Sequence, residues 1–370
     1  MHDVLRAVLL AALIAVTACA PRGEITVEPA AAAVGTVREV FVATSRGSAP
    51  LPERFGQDRA GRTAYAEYDI SIPPKRVPGS IVYPGSDKVD PTRQMLTVKE
   101  NIYAGERDFN AAVGRALRTN PGGRQVVVFV HGFNNNYAEG IYRAAQLTYD
   151  LKINSTLVHF SWPSLSNPLG YVYDRDSALF SRDALARLLV DLDRQGASEI
   201  VLVAHSMGAF IAMEAMRQLA MQGRDATITK LSTVILISPD IDVDVFRSQM
   251  AAIPQPPQPF VIFGSPRDIA LKVSARVTGM RERLGNLSNT DQIADLPVQY
   301  LDVGAFRDGD RHFAVATSPE LQDLIRQLAQ APGWLQSDRR RTDNPITGIL
   351  LRTQDATRVI LSPFGMIRTR

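Results

Sequence analysis

The sequence predicts an α/β protein built on a mostly parallel, doubly wound sheet with an antiparallel strand pair at its N-terminal end. Three observations carry this. Two early segments alternate apolar and polar residues in the manner of strands. Six later runs are short, apolar and rich in β-branched residues. Helical segments separate those runs, and such alternation requires a parallel sheet covered on both faces.

In chain order, the opening strands are residues 37–44 and 66–72, separated by a polar stretch that contains glycine. From Gln125 onward the apolar runs are 126–130, 156–160, 200–204, 231–237, 259–263 and 298–303. Helices are expected at 137–151, 174–195, 209–221, 244–252, 268–284 and 319–328. No internal repeat interrupts the pattern. At 370 residues with 45% hydrophobic and 21% charged content, the chain can bury a sizeable core. The 41 basic and 38 acidic residues leave a net charge of +3, too small an excess to imply a nucleic-acid partner.

The two ends read differently from the middle. Residues 4–16 are apolar apart from Arg6, long enough for the core of a signal peptide and too short to span a membrane. That run ends in Val16-Thr17-Ala18-Cys19, which resembles the lipobox of bacterial lipoproteins, so residues 1–18 are expected to be removed and Cys19 acylated. Cys19 is the sole cysteine, so no internal disulfide competes for it. The rival reading is ordinary cleavage after Ala18-Cys19-Ala20, giving a soluble periplasmic or secreted protein. With Ala20 after the cysteine, the resemblance points to a membrane-anchored protein of the cell envelope, at the outer membrane facing the periplasm. Residues 19–35, rich in Ala and Pro, read as a tether, 36–335 as the folded domain, and 336–370 as an Arg-rich, solvated tail.

The most informative segment is Val203-Ala204-His205-Ser206-Met207-Gly208-Ala209. A buried strand runs into a turn of small residues and then a helix, the context in which a nucleophilic Ser is lifted above the sheet. Ala204 stands where G-x-S-x-G has its first Gly, a change of one methyl. The competing reading of Ser206 is a helix N-cap. An attacking Ser needs a base, and the chain has five histidines. His2 lies in the signal segment, His159 within a strand, His205 beside the Ser facing into the turn, and His131 in an HG loop. His312 remains, after the last strand. The acid should follow a strand between Ser206 and His312. Asp268 follows the later strand, the commoner source, while Asp240 and Asp242 follow the earlier one and stay open on spacing alone.

His131-Gly132-Phe133-Asn134 ends a strand with an HG-type loop. Such a loop gives one backbone N–H to an oxyanion and the residue after the nucleophile gives the other, which selects Phe133 and Met207. These features together describe the α/β-hydrolase fold. Asn135 and Asn136 read as turn residues.

The chain resembles the bacterial α/β-hydrolases labelled esterase/lipase-superfamily or DUF900 proteins. The resemblance rests on Val42-Ala43-Thr44-Ser45-Arg46, Ser71-Ile72-Pro73-Pro74, His131-Gly132-Phe133-Asn134, Phe160-Ser161-Trp162-Pro163-Ser164, Tyr173-Asp174-Arg175-Asp176-Ser177-Ala178, His205-Ser206-Met207-Gly208, Ser238-Pro239-Asp240-Ile241-Asp242 and Ser265-Pro266-Arg267-Asp268-Ile269-Ala270-Leu271. It implies Asp268 as acid and His312 as base, and says little about substrate. Trp162 is expected either to wall the substrate pocket or to pack beneath its loop. Tyr173, Asp174 and Arg175 read as a salt-linked helix start. The expected activity is hydrolysis of a carboxylic ester, esterase- or lipase-like, through a Ser-Asp-His triad and an acyl-enzyme. The substrate would be a small-molecule or lipid-like ester, with no metal and no organic cofactor required. The alternatives are amide, thioester or peptide hydrolysis on the same fold, and a catalytically silent envelope-binding protein.

Overall fold

The β-branched runs of the middle of the chain lie side by side in a computed structural model that describes residues 22–84, 88–279, 281–330, 358–362 and 365–368. Its strands are β1 (Thr36–Ser48), β2 (Phe55–Ile72), β3 (Leu96–Tyr103), β4 (Gln125–Val130), β5 (Thr156–Ser161), β6 (Glu199–His205), β7 (Leu231–Ile237), β8 (Phe260–Gly264), β9 (Gln299–Asp302), β10 (Arg358–Ser362) and β11 (Gly365–Arg368). Among the described residues they form one sheet, in the order β11-β10-β9-β8-β7-β6-β4-β5-β1-β2-β3. The run from β10 through β1 is parallel throughout. β2 lies antiparallel to β1 on one side and to β3 on the other, and β10 and β11 are likewise antiparallel. This is the mostly parallel sheet with an N-terminal antiparallel pair that the sequence predicts, with β3 added outside the pair.

The helices are α1 (Glu106–Thr119), α2 (Tyr137–Asp150), α3 (Tyr171–Arg194), α4 (Met207–Met221), α5 (Asp225–Lys230), α6 (Val243–Ala251), α7 (Ile269–Val277), α8 (Ala314–Thr317) and α9 (Pro319–Gln330). Side chains alternate across a strand, so each central strand feeds two cores. Val126, Val128 and Val130 of β4 enter the core under α1, α3 and α4, while Val127 and Phe129 enter the one under α2 and α9. Burying such a side chain contributes roughly 1.5–3 kcal/mol, which explains why these runs carry almost no polar residue.

Four differences from the sequence reading have physical causes. The helix expected over 268–284 stops at Val277, with Gly279 at a φ of +98° just beyond its end. α1 is not among the expected helices; it packs against the antiparallel end of the sheet, where Phe109 meets Phe41, Tyr65 and Tyr103 and is fully buried. Part of the expected tether is docked: Ile25 and Ala31 are buried, Glu28 N–H donates to Thr97 O, and Ser71 Oγ donates to Ala31 O. The stretch expected as a solvated tail returns to the sheet, where Val359 pairs in parallel with Leu301 of β9. The Arg-rich part of that tail and Cys19 lie outside the described residues. No helix among the described residues is long and apolar enough to cross a membrane.

Candidate active site

β6 is buried at Leu202, Val203, Ala204 and His205 and delivers the chain to Ser206 at the top of the sheet. There the backbone turns sharply, because Ser206 takes φ +54° and ψ −123°, a conformation L-residues rarely adopt. Its N–H is held by Ile237 O at 2.9 Å, and its carbonyl accepts from Ala209 and Asp240 N–H. The turn is tight enough to exclude side chains around it. A Cβ on Gly208 would lie 2.3 Å from His131 O and 2.7 Å from Val130 O, so the end of β4 and the start of α4 touch only because residue 208 is glycine. A Cβ on Gly132 would come within 2.9 Å of Ser206 Cβ. The HG loop therefore rests directly on the elbow.

Ser206 stands at the N-cap position of α4, but its hydroxyl makes no capping bond. Ser206 Oγ instead lies 3.0 Å from His312 Nε2, and His312 Nδ1 lies 2.7 Å from Asp268 Oδ2. A carboxylate only accepts, so Nδ1 carries the proton and Nε2 is free to accept from the hydroxyl. The structure thus brings together Ser206, Asp268 and His312 from the ends of β6, β8 and β9. Asp268 has two tasks, because its other oxygen accepts from Leu271 N–H and caps α7 at 3.1 Å. Asp240 is otherwise engaged: Ser274 Oγ and Tyr171 OH donate to it, and Arg283 Nε lies 3.3 Å away. Asp242 caps α6. The choice that spacing left open falls to Asp268 by geometry.

Burial lowers the affinity of the His312 ring for a proton. The hydrogen bond and charge of Asp268 outweigh that, and the ring ends above its ordinary value of 6.5. The other described histidines are held neutral. Burial, with the His312 ring beside it, takes His205 well below 6.5; it stacks on Phe313 at 3.7 Å and its Nε2 is 3.2 Å from His312 O. Burial takes His159 down to about 3. His131, lowered by burial and by nearby Arg46, keeps its proton on Nδ1 to donate to Gly132 O, and its Nε2 accepts from Trp162 N–H.

Trp162 is fully buried, stacked on the His131 ring at 5.0 Å, and donates from Nε1 to His131 O. It packs beneath the loop and walls no pocket. Met207 opens α4, and the N–H of a first helical residue has no intrahelical partner. Among the described residues the Phe133 N–H has none either.

Sequence reasoning missed what holds this loop. Arg46, 1% exposed, donates from Nη2 to Asn135 O, from Nη1 to Gly56 O and Ser164 O, and from Nε to Ser161 Oγ. Asn135 in turn donates to Gly132 O and Phe133 O. Burial lowers the Arg46 guanidinium to about 10, with Asp174 the largest opposing charge. Asp174 is no surface ion pair but a buried carboxylate, raised by burial, which accepts from Ser164 Oγ and from the N–H of Leu165 and Asn134. The sequence signal is weak, because β1 also carries Arg38 and Glu39 and nothing in the spacing separates a buried, paired charge from an exposed one.

A serine on a strained strand-to-helix turn, above a doubly wound sheet and beside a histidine and a carboxylate, defines an α/β-hydrolase. A family model described as "Alpha/beta hydrolase of unknown function (DUF900)" matches residues 106–332, and the chain belongs to that family. Among solved structures, the chain is similar to an esterase from Pyrobaculum calidifontis (11% identity, 80% of this chain and 84% of that one, TM-score 0.35). It is also similar to esterases of Rhizomucor miehei (12% identity, 80% and 82% covered, TM-score 0.34). A third is a thioesterase of the prodiginine pathway in Streptomyces coelicolor (14% identity, 55% and 84% covered, TM-score 0.32). No curated protein matches the chain.

Proposed function

We propose that this protein is a serine hydrolase that cleaves carboxylic esters through an acyl-enzyme. The observation that carries the reading is the relay Ser206 Oγ to His312 Nε2 at 3.0 Å and His312 Nδ1 to Asp268 Oδ2 at 2.7 Å, on a hydroxyl held out of its capping role. His312 takes the Ser206 proton as Oγ adds to the ester carbonyl, and Asp268 stabilises the imidazolium that forms. The Phe133 and Met207 N–H groups receive the oxyanion, each contributing about 2–4 kcal/mol to the transition state. His312 then returns the proton to the departing alcohol, and water repeats the sequence to release the acid. The chain supplies a nucleophile, a base and an oxyanion hole, and the chemistry calls on nothing further.

The test is covalent labelling. A fluorophosphonate should label the wild-type chain and fail to label Ser206→Ala, with circular dichroism showing that the variant is folded. Labelling that persists in the variant would move the nucleophile elsewhere. A wild-type chain that takes no label and turns over no p-nitrophenyl ester would leave the fold without this activity.

A further inference from the structure

The edge of the sheet that carries Ser206 exposes apolar surface that the chemistry does not use. α7, which begins directly after Asp268, buries only Leu271 and Ser274. Its remaining large apolar residues, Ile269, Val273 and Val277, are 62%, 51% and 58% exposed. Spaced four apart, they form one stripe along the helix. Tyr171 OH lies 2.9 Å from Ser274 Oγ, and this contact brings the first turn of α3, with the residues just before it, alongside α7. That segment adds Leu169, 93% exposed, and Val172, 70% exposed. Tyr171 also packs edge-on against Phe133 at 5.6 Å, so the apolar surface borders the oxyanion loop as well as the acid.

Along α7 the exposed charges have one sign, whereas Val172 has the exposed Asp176 one turn further along α3. Arg267, Lys272 and Arg276 are exposed, and the only acid between Arg267 and Arg281 is Asp268, which is buried and bonded to His312. Arg281 is paired with Asp244 and adds nothing. An apolar stripe flanked by cations that have no carboxylate partner among the described residues, Arg267 bonding only to Gly304 O, fits an anionic lipid surface, where each part gains from its own layer.

A second observation concerns how the chain arrives. Arg22 donates to Asn134 Oδ1, Asn134 O and Glu139 Oε2, Gly23 N–H donates to Glu139, and Asn136 Nδ2 donates to Gly23 O. The chain therefore enters beside the oxyanion loop. Three residues span at most about 11 Å, so an acyl group on Cys19 would tether the molecule by this same edge.

We propose that the catalytic edge docks on an anionic phospholipid surface. Ile269, Val273, Val277, Leu169 and Val172 face the acyl boundary, and Arg267, Lys272 and Arg276 face the headgroups. The proposal rests on the ester-hydrolase reading and names its substrate class, esters presented within a lipid phase.

The single native cysteine makes the test direct. In the full chain carrying Cys19→Ser, an environment-sensitive dye is attached at Val273→Cys or, as control, at Met221→Cys, which is 68% exposed at the far end of α4. The N-terminal segment is common to both, so the contrast between them reads orientation. Vesicles of phosphatidylcholine with phosphatidylglycerol should shift the dye at position 273 to the blue and leave position 221 unchanged, with a weaker shift for phosphatidylcholine alone. Equal responses at both positions, or none at 273, would overturn docking. So would a shift without lipid that follows protein concentration, which would assign the stripe to a second copy. In parallel, Val273→Ser with Val277→Ser should slow hydrolysis of a long-chain p-nitrophenyl ester carried in those vesicles by about tenfold, while soluble p-nitrophenyl butyrate is hydrolysed as before. A dye shift in a chain that cleaves neither ester would retain docking and reject the esterase. Cleavage of butyrate with no dye shift would do the reverse.

Discussion

Ser206 sits between two flanks built in opposite ways. On the side proposed to receive the oxyanion, Arg46, Asp174, His131 and Trp162 are buried and bonded to one another's loops, and the carbonyls of Gly132, Phe133 and Asn135 each accept a side-chain hydrogen bond. On the acid side, one short helix buries two residues and leaves its apolar stripe to solvent. The difference follows from what each flank must do. An oxyanion hole works by holding dipoles fixed before charge develops, and a displacement of about 1 Å can cost a hundredfold in rate. It has to be set in the core. The acid flank has only to fix one carboxylate, which Asp268 achieves with one oxygen on Leu271 N–H and the other on His312. The rest of α7 is free to face outward.

Breaking the acid flank should give the largest effect of the contrasts between them. In Asp268→Asn the amide oxygen can still cap α7, so the melting temperature should hardly change. The His312 ring loses the partner that fixes its tautomer, and kcat for p-nitrophenyl acetate should fall by about 10⁴. A loss of only a few-fold would mean that the carboxylate serves α7 alone.

That division also explains how legible the molecule is in its sequence. The parallel strands are legible because both their faces are buried, so runs such as Gln125–Val130 and Phe260–Gly264 are almost purely apolar. Ser206 is legible because a strand, a turn of small residues and a helix must follow one another for the elbow to close. His312 is legible by elimination among the histidines, while Asp268 is legible only to within three carboxylates, since Asp240 and Asp242 also follow a strand. Arg46 is not, for its role lies in contacts up to 118 residues away along the chain. β3 and α1 escape because they pack against the antiparallel end of the sheet, where half-exposed faces blur the pattern. The docking of residues 25–33 depends on backbone pairing with Thr97, which no side-chain pattern announces.

Breaking the oxyanion flank tests whether its rigidity is functional. Arg46→Met removes every bond to Asn135, Ser161 and Ser164 and leaves Asp174 without its counter-charge, so it should destabilise the fold by about 3–5 kcal/mol. Arg46→Lys retains the charge but not the planar fork. At temperatures where this variant is folded by circular dichroism, kcat should still fall by about a hundredfold with KM little changed, as expected when one oxyanion donor is misplaced. A Lys variant with lowered melting temperature and undiminished kcat would make Arg46 a structural residue only.

The smallest effect sharpens the acid side. The base acts only when neutral, and Asp268 holds the His312 proton more tightly than an ordinary imidazole does, so kcat/KM should rise with pH through an inflection above 6.5. In Asp268→Asn the opposing influence of burial is left without its counterweight, and the inflection in the residual activity should move below that value. At pH 6 the loss relative to wild type should therefore be smaller than at pH 8, because the wild-type base is already largely protonated there. An inflection that stays in place when Asp268 is neutralised would mean that the charge governing His312 comes from elsewhere, with the Asp310 and Asp240 carboxylates the next contributors. The two flanks would then divide the work differently: Asp268 would orient the ring through its hydrogen bond, and the field that sets the proton affinity of His312 would belong to the whole catalytic edge.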